Sequence, residues 1–516
     1  MKSVLQSSSS LSTLEAENSS ESSIELFEDS SVPILPPILD NWGNNLTLPT
    51  LPAFTTPSFI PQNTGALFSV STTAQSSAPA QGLSYPQGSW LRPSCTDFTP
   101  ELLDEEEDSE GIKEIFCLNP LILNWKLESN TLSFVLQSYG QWIQVAIFEP
   151  LKVIHETKEN VICQLSGSSA SRTRLLLTAR IMRALAKSWV LEDTEKRVLG
   201  MLRGEVLRNT ASYTPQEWLH SEDKRGHAYG LLDHMIEVVS LQVCSVPLRL
   251  TLDLLQTALP VFLAACPSAR PPHMLDILLK GGLNLSHFVA ADVAICVTTG
   301  RPLLCRYHVP WSLDLCNEFM EKVENQGSQW LFGIPDQFIL LIGYIDGLVK
   351  NATAAGITVD SGLLAQIEDD VRRIQVSPCE SNDPSLVVAR MAVQQCWREA
   401  VIVYLYMALG GAHALDPRVV RAQTGFMRLV KSIKPGRNPD GFLVIPMIVV
   451  AVASTKRSHR QLITSRILSL PECAHPSAAG NEMMLTLMEV WAKTDLECRP
   501  PLWNDLREAC MKVTGV

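Results

Sequence analysis

A long, mostly apolar stretch lies at residues 396–409, with the sequence CWREAVIVYLYMAL. Charged side chains occur in this run only at Arg398 and Glu399, next to each other. A helix on a protein surface keeps one polar face, whereas a helix that is apolar on all sides is buried. The pattern therefore predicts a core helix inside a large folded domain, centred near Trp397.

Both ends of the turn that follows this helix can be located in the sequence. Gly410 and Gly411 can adopt the left-handed conformation that commonly closes a helix. Asp416 followed by Pro417 is typical of an N-cap residue with proline at the first helical position. We therefore predict a second helix that starts at Pro417 and runs towards Lys434.

Helical periodicity, with apolar residues three or four positions apart, continues through most of residues 170–513. The stretches with this pattern are 171–189, 247–266 (kinked or ended at Pro260), 335–356, 361–374, 460–470, 481–494 and 503–513. Alternation of the kind found in strands occurs only around residues 131–163, where short strands are predicted. The predicted fold is all-α, with one large irregular multi-helix domain.

The most apolar segment that could suggest a membrane span is GFLVIPMIVVAVAS, residues 441–454. It is 14 residues long, contains Pro446, and is followed closely by Lys456 and Arg457. A membrane-spanning helix needs about 20 consecutive apolar residues. We therefore predict a core helix here and no membrane association.

The first fifth of the chain differs from the rest in composition. Residues 1–110 contain two basic and 15 acidic residues, a net charge of −13, together with 21 serines and 11 prolines. Such a composition cannot bury enough apolar surface to offset the entropy lost on ordering. The predicted domains are a disordered acidic Ser/Pro-rich tail at residues 1–114, a connecting segment at 115–169 and the helical domain at 170–516.

The 13 cysteines are scattered singly, and no CxxC pair occurs in the sequence. We interpret them as small buried hydrophobic residues of a protein in a reducing compartment. The first 20 residues contain one lysine and no continuous apolar segment, so we expect no signal peptide.

No motif for catalysis or for phosphate binding is present: GxSxG, GxxxxGK[ST], GxGxxG and HExxH are all missing from the sequence. His227 and His234 are two helical turns apart, which fits ordinary structural or solvated histidines better than a metal site. The acidic run at residues 368–370 is followed by Arg372 and Arg373, a spacing that favours surface ion pairs. The sequence therefore predicts no catalytic, cofactor-binding or metal-binding residue, and a protein that is not an enzyme.

Nucleic-acid binding needs lysines and arginines clustered on one face. The densest basic runs, residues 431–437 and 456–460, are short and carry no interleaved aromatic residues. Residues 111–516 contain 40 basic and 39 acidic residues, a net charge of only +1. We therefore expect these runs to be loop or helix-end charges, and no sequence-specific binding of duplex DNA by this chain.

The helical part resembles the middle region of fungal-specific transcription factors, over about residues 170–513. The segments that carry the resemblance are 284–316 (NLSHFVAADVAICVTTGRPLLCRYHVPWSLDLC), 330–348 (WLFGIPDQFILLIGYIDGL), 394–419 (QQCWREAVIVYLYMALGGAHALDPRV), 442–467 (FLVIPMIVVAVASTKRSHRQLITSRI) and the terminal WNDLRE from Trp503 to Glu508. The resemblance implies that this domain modulates a regulator and that the helix at 396–409 is part of its core.

In that family, a cluster of six cysteines with CxxC spacing holds two zinc ions and reads DNA. The first cysteine of this chain is Cys95, and no CxxC follows it. The resemblance therefore does not extend to direct DNA reading, and zinc is expected only where such a cluster precedes the tail.

Together, these features predict a nuclear transcriptional regulator that acts through its helical domain and its acidic tail. In the tail, Ile24, Leu26 and Phe27 stand among acidic residues, a pattern suited to docking on co-regulators or transcription machinery. An inert solvated linker remains an equal alternative for the tail. A helical adaptor without a role in transcription is the alternative for the whole chain, and a homodimer is compatible with either interpretation.

Overall fold

The computed structural model describes residues 110–116, 130–211, 213, 221–267, 270–322, 328–376, 378–379, 381–476 and 478–516. Residues 1–109 lie outside this part of the chain, and with them nearly all of the predicted disordered tail, including the segment with Ile24, Leu26 and Phe27. In the described residues the regular structure consists of 20 α-helices and one π-helical turn. The prediction of an all-α fold is confirmed.

The helices of the first half vary from one turn to six turns in length. They are α1 (Ile112–Phe116), α2 (Thr131–Ala146), α3 (Pro150–Ser166), α4 (Ser169–Ser188), α5 (Asp193–Ala211), α6 (Ser221–Gln242), α7 (Leu248–Ala265), α8 (Met274–Lys280), α9 (Leu283–Thr299) and α10 (Leu313–Lys322). Helix α1 begins at Ile112, inside the range predicted to be disordered, because Ile112 and Phe116 are buried against α2 and α3.

The second half contains the helices of the central core. They are α11 (Gln329–Phe332), α12 (Asp336–Ala355), α13 (Ser361–Arg373), α14 (Pro384–Tyr404), α15 (Pro417–Ser432), α16 (Arg437–Val452), α17 (Arg457–Leu468), α18 (Pro471–Ala474), α19 (Ala479–Leu496) and α20 (Trp503–Thr514). Helix α14 packs on α15 and α16, and α16 packs in turn on α9, α17 and α19. The core is centred on α14 and α16.

The strands predicted for residues 131–163 are wrong, because this stretch forms helices α2 and α3. The buried side chains of α2 include Val135, Tyr139 and Trp142, which follow one another at intervals of four and three residues. These aromatic and β-branched residues favour strands locally, but packing against α4 overrides that preference. The apolar residues of this stretch therefore have the spacing of a helix, in addition to the short alternation that resembles a strand.

Among the helices that the structure describes, α7 and α12 are long and apolar enough to cross a membrane by length and composition alone. Core helices of folded domains pass the same test, and Phe262 of α7 and Phe338 of α12 are fully buried in the protein core. Helix α7 runs through Pro260, so of the two outcomes expected there the end of the helix is ruled out. The shorter segment 441–454 lies mostly in α16, and its buried side chains face α14, α9 and α19.

The helix predicted around Trp397 is confirmed as the centre of the core. Trp397 is 2% exposed, and α14 continues into a π-helical turn at Leu405–Leu409 before the chain leaves the helix. Gly411 has a φ of 62°, as expected of the residue that closes this turn. The side chain of Asp416 then accepts a hydrogen bond from the backbone N–H of Arg418, which makes it the N-cap of α15.

Buried carboxylates anchor several loops to the helical core. Asp292 of α9 accepts hydrogen bonds from the backbone N–H groups of Leu304 and Cys305, at 2.7 and 3.1 Å, and from the Tyr307 hydroxyl at 3.0 Å. Asp336, at the first position of α12, accepts a hydrogen bond from the backbone N–H of Ser328 at 3.0 Å. These contacts fix irregular backbone that would otherwise leave buried N–H groups without acceptors.

Asp336 should make the stability of the domain depend on pH. Burial raises the pKa of Asp336 to about 7, with the Ser328 N–H opposing the shift. As the pH rises from about 4 to 7, the unfolded chain releases the proton while the folded chain keeps it, so stability falls. Asp336→Asn has no charge to bury. We therefore expect its free energy of unfolding, relative to that of the wild type, to rise by up to about 2 kcal/mol between pH 5 and pH 8.

Thermal melts of both proteins at the two pH values test this expectation. Asp369→Asn is the matched control, because Asp369 is an exposed carboxylate paired with Arg373 on α13. Its melting temperature relative to wild type should change little with pH. A constant difference between Asp336→Asn and wild type at both pH values would show that Asp336 is ionised in the folded protein throughout.

Candidate functional site

The candidate site is built around Arg390, whose side chain is 1% exposed although it carries a full charge. Asp383 caps α14 by accepting a hydrogen bond from the Ser385 N–H at 2.8 Å, and Pro384 occupies the first helical position. Arg390 and Trp397 are seven residues apart along α14, two helical turns, and therefore point to the same side. The cap and the helical period together place the arginine at one end of the buried core.

Arg390 is paired with Glu110, a residue 280 positions earlier in the chain. The two terminal nitrogens of Arg390 each donate to one oxygen of Glu110, Nη1 to Oε1 at 2.9 Å and Nη2 to Oε2 at 2.7 Å. This is the bidentate arrangement in which the planar guanidinium fork matches a carboxylate. Gly111 follows with a φ of 67°, a conformation that favours glycine, and leads the chain into α1.

A second carboxylate, Glu149, lies near Arg390. Its position is fixed by the backbone, because the N–H groups of Phe148 and Glu149 donate to the carbonyls of Leu331 and Trp330 at 3.2 and 2.8 Å. Burial raises the pKa of Glu149, while the charge of Arg390 opposes the shift. Among the residues that the structure describes, its Oε1 atom has no hydrogen-bond partner. Arg390 therefore has two buried carboxylates near it, those of Glu110 and Glu149.

Two cavities meet at Arg390. The larger, about 720 Å³, is bordered by the segment from Ser432 to Pro439, by the start of α14 and by Glu110 and Ile112. The smaller, about 460 Å³, is lined by Glu149, Leu151, Lys152, Cys379, Ser381, Asn382 and Arg390. Small-molecule sites typically have volumes of roughly 300–1,000 Å³. The arginine thus joins two cavities of suitable size.

The groups in these cavities are suited to binding rather than to nucleophilic chemistry. Burial raises the pKa of the Cys379 thiol to about 12, so the thiolate that attacks substrates is not formed at neutral pH. The charged groups that remain are arginine, lysine and carboxylates. What the site can do is hold an anion by ion pairing and hydrogen bonds.

Part of the chain matches a known family. Residues 279–513 match the model of the fungal specific transcription factor domain family. This region is a fungal specific transcription factor domain. No curated protein and no solved structure matches the chain.

The fungal specific transcription factor domain starts within α8 and includes every helix from α9 to α19. It confirms the resemblance seen in the sequence, although the match begins at residue 279 and the resemblance was expected from about 170. The presence of this domain suggests a transcriptional regulator; the family implies a nuclear role, and its members are in general not enzymes. Arg390 lies inside the domain, whereas Glu110 and Glu149 lie before it.

The acidic run of α13 forms the ion pairs that its spacing predicts. Glu368 pairs with Arg372, and Asp369 pairs with Arg373, each at 2.6 Å. Glu368 also accepts a hydrogen bond from the Tyr406 hydroxyl of the π-helical turn. The run is therefore a solvated face only in part, because Glu368 also attaches α13 to the core.

The two histidines singled out by their spacing lie in different surroundings. His227 is exposed, whereas burial lowers the pKa of His234 to about 3, so the latter is neutral. Where the structure describes the chain, no group of three or more His, Cys, Asp or Glu side chains is placed to hold a metal ion. In the described part of the chain, His227 and His234 are therefore not grouped with further side chains that could bind a metal ion.

The basic runs take part in internal ion pairs. Arg437 pairs with Glu472 and stacks over the Trp189 ring, and Arg460 pairs with Asp495 at 2.5 Å. Lys434 is exposed and borders the larger cavity. These contacts use several of the basic side chains to join helices.

Arg390 itself was missed by the sequence reasoning. The one available signal was a charged residue within the apolar sequence VVARMAVQQCW, on the side of α14 that also carries Trp397. Its partner Glu110 is separated by 280 residues, and no local pattern connects the two.

Proposed function

We propose that the protein is a transcriptional regulator located in the nucleus, in which the helical domain controls the output of an acidic N-terminal segment. The observation that carries this proposal is the combination of a fungal specific transcription factor domain at residues 279–513 with a net charge of −13 over residues 1–110. In such an arrangement the domain supplies regulation, and the acidic segment supplies contact with partners.

The acidic segment has the composition expected for docking on co-regulators or transcription machinery. In SSIELFEDSS, the apolar residues Ile24, Leu26 and Phe27 alternate with Glu25, Glu28 and Asp29. Neighbouring negative charges keep apolar side chains in contact with water, so that they remain available to a hydrophobic groove on a partner. Contact with DNA is proposed to be indirect, since the acidic segment repels phosphates and residues 111–516 have a net charge of only +1.

Residues 1–110 fused to a foreign DNA-binding domain should raise the output of a reporter gene several-fold over that domain alone. Changing Ile24, Leu26 and Phe27 together to alanine should remove most of the gain, because the apolar contacts with the partner are lost. The measurement is reporter activity at equal protein level.

Leu46, Leu48 and Leu51 changed together to alanine provide the matched control, because they lie in the same segment without adjacent acidic residues. This control should retain most of the activity. A fusion no more active than the foreign domain alone would favour the alternative function, a helical adaptor without a role in transcription.

A further inference from the structure

We propose that the larger cavity beside Arg390 is a binding site for a small organic carboxylate, which takes the place that Glu110 holds in the structure. This inference goes beyond the proposed function and rests on the geometry of the cavity alone. It assigns a ligand class to a regulatory domain and names the protein group with which that ligand competes.

The carboxylate class follows from the way in which Arg390 is already occupied. Both terminal nitrogens of Arg390 donate to the two oxygens of one carboxylate, at 2.9 and 2.7 Å. The guanidinium is held in a fixed direction by burial, with Glu149 near it and the Phe148 ring 6.0 Å from its central carbon. A free carboxylate that enters the cavity can form the same pair of charge-assisted hydrogen bonds.

Glu110 is followed by a glycine with open space beside its backbone. This glycine is Gly111, and no heavy atom comes within 4 Å of a Cβ placed on it. The backbone at Gly111 therefore has open space in which to turn, and α1, only five residues long, begins after it. Departure of Glu110 breaks no contact between long helices.

The remaining walls favour a ligand with an apolar body. Ile112, Leu386, Val388 and Phe442 contribute apolar surface to the cavity. Lys434 adds an exposed positive charge at its border. With Glu110 displaced, the cavity keeps more positive than negative charge from its own lining, which favours an anion over a neutral molecule.

Binding of such a ligand would break the ion pair between Glu110 and Arg390. Glu110 is the last residue of the acidic segment, and Arg390 belongs to the fungal specific transcription factor domain. A competing carboxylate breaks this ion pair. Ligand binding and the departure of Glu110 from Arg390 are therefore coupled, each favouring the other.

The test uses the full chain with hexanoate as the probe and hexanamide as its neutral counterpart. In Glu110→Ala the competing carboxylate is gone, so the state that can bind the ligand is no longer only a small fraction of the protein. Titration calorimetry should therefore show that hexanoate binds at least about tenfold more tightly than to the wild type. Hexanamide should bind neither protein measurably. Glu110→Gln, which keeps the size of the side chain, serves as a second background where Glu110→Ala folds poorly.

Two substitutions at the cavity border locate the binding site. In the Glu110→Ala background, Val388→Glu should bind hexanoate at least about tenfold more weakly than Val388→Gln, because glutamine is the neutral isostere of glutamate and lacks the charge that repels the ligand. Val388 is 60% exposed, so both variants are expected to fold. The proposal is overturned if hexanoate binds no better than hexanamide without Glu110, or if the two Val388 variants bind it equally.

Discussion

Replacing Trp397 by alanine is expected to lower the free energy of unfolding by about 3–5 kcal/mol, the range for removal of a large aromatic side chain from a packed core. Trp397 lies on α14 between α15 and α16, and is almost completely buried. Its indole N–H has no hydrogen-bond partner within the described residues. The loss is therefore one of packing and apolar burial, without a broken hydrogen bond.

Chemical denaturation of the full chain, followed by circular dichroism at 222 nm, measures this effect. Val388→Ala is the matched control, because it removes an exposed apolar side chain from the same helix and should change stability by no more than about 0.5 kcal/mol. Equal midpoints for the two variants would contradict the central position of α14 in the core.

The helical body could be predicted because its local and long-range preferences agree. In α14 and α15, the apolar run, Gly411 and Asp416 each indicate the same boundaries, and the structure places them there. Elements of this kind are specified redundantly. Their positions can therefore be read without knowledge of their packing partners.

Residues 131–163 show the opposite situation, in which local preference and final structure disagree. The side chains of Phe134, Val135 and Trp142 favour strands, and the polar residues at short intervals around them imitate a strand pattern. The structure forms α2, because the same residues pack against α4 only when wound as a helix. Tertiary contacts decided the outcome, and these were not visible in the sequence.

The candidate site was beyond sequence reasoning for a related reason. Arg390 is a single charge in an apolar helix, and Glu110 is one of several acidic residues at the end of the acidic segment. Nothing local identifies which acidic residue reaches the arginine or that cavities lie beside it. Long-range pairing of single residues requires the folded chain.

The second large effect is expected at a buried ion pair between Arg466 of α17 and Asp440 of α16. Asp440 is fully buried, and its Oδ1 lies 2.8 Å from Nε and 2.6 Å from Nη2 of Arg466. Arg466 also donates from Nη1 to the Ile433 carbonyl at 3.1 Å, and Asp440 accepts from the Gly436 N–H at 3.2 Å. The pair therefore supports the segment that borders the larger cavity.

Arg466→Met should lower the free energy of unfolding by about 3–5 kcal/mol, because it leaves a buried carboxylate without its counter-charge. The double variant Arg466→Met/Asp440→Asn should recover a large part of this loss, since the stranded charge is then absent. Denaturation of wild type, Arg466→Met, Asp440→Asn and the double variant forms a complete cycle that isolates the interaction energy.

The pH dependence of the single variant separates a stranded charge from lost packing. Burial raises the pKa of Asp440, and Arg466 is the main group that opposes the shift. Without Arg466 the folded-state pKa rises further, so stability should fall as the pH rises above the unfolded value near 4 and should recover on acidification. A deficit that is equal at pH 4.5 and pH 8, together with no recovery in the double variant, would assign the loss to the missing aliphatic stem of Arg466 and its hydrogen bond to Ile433.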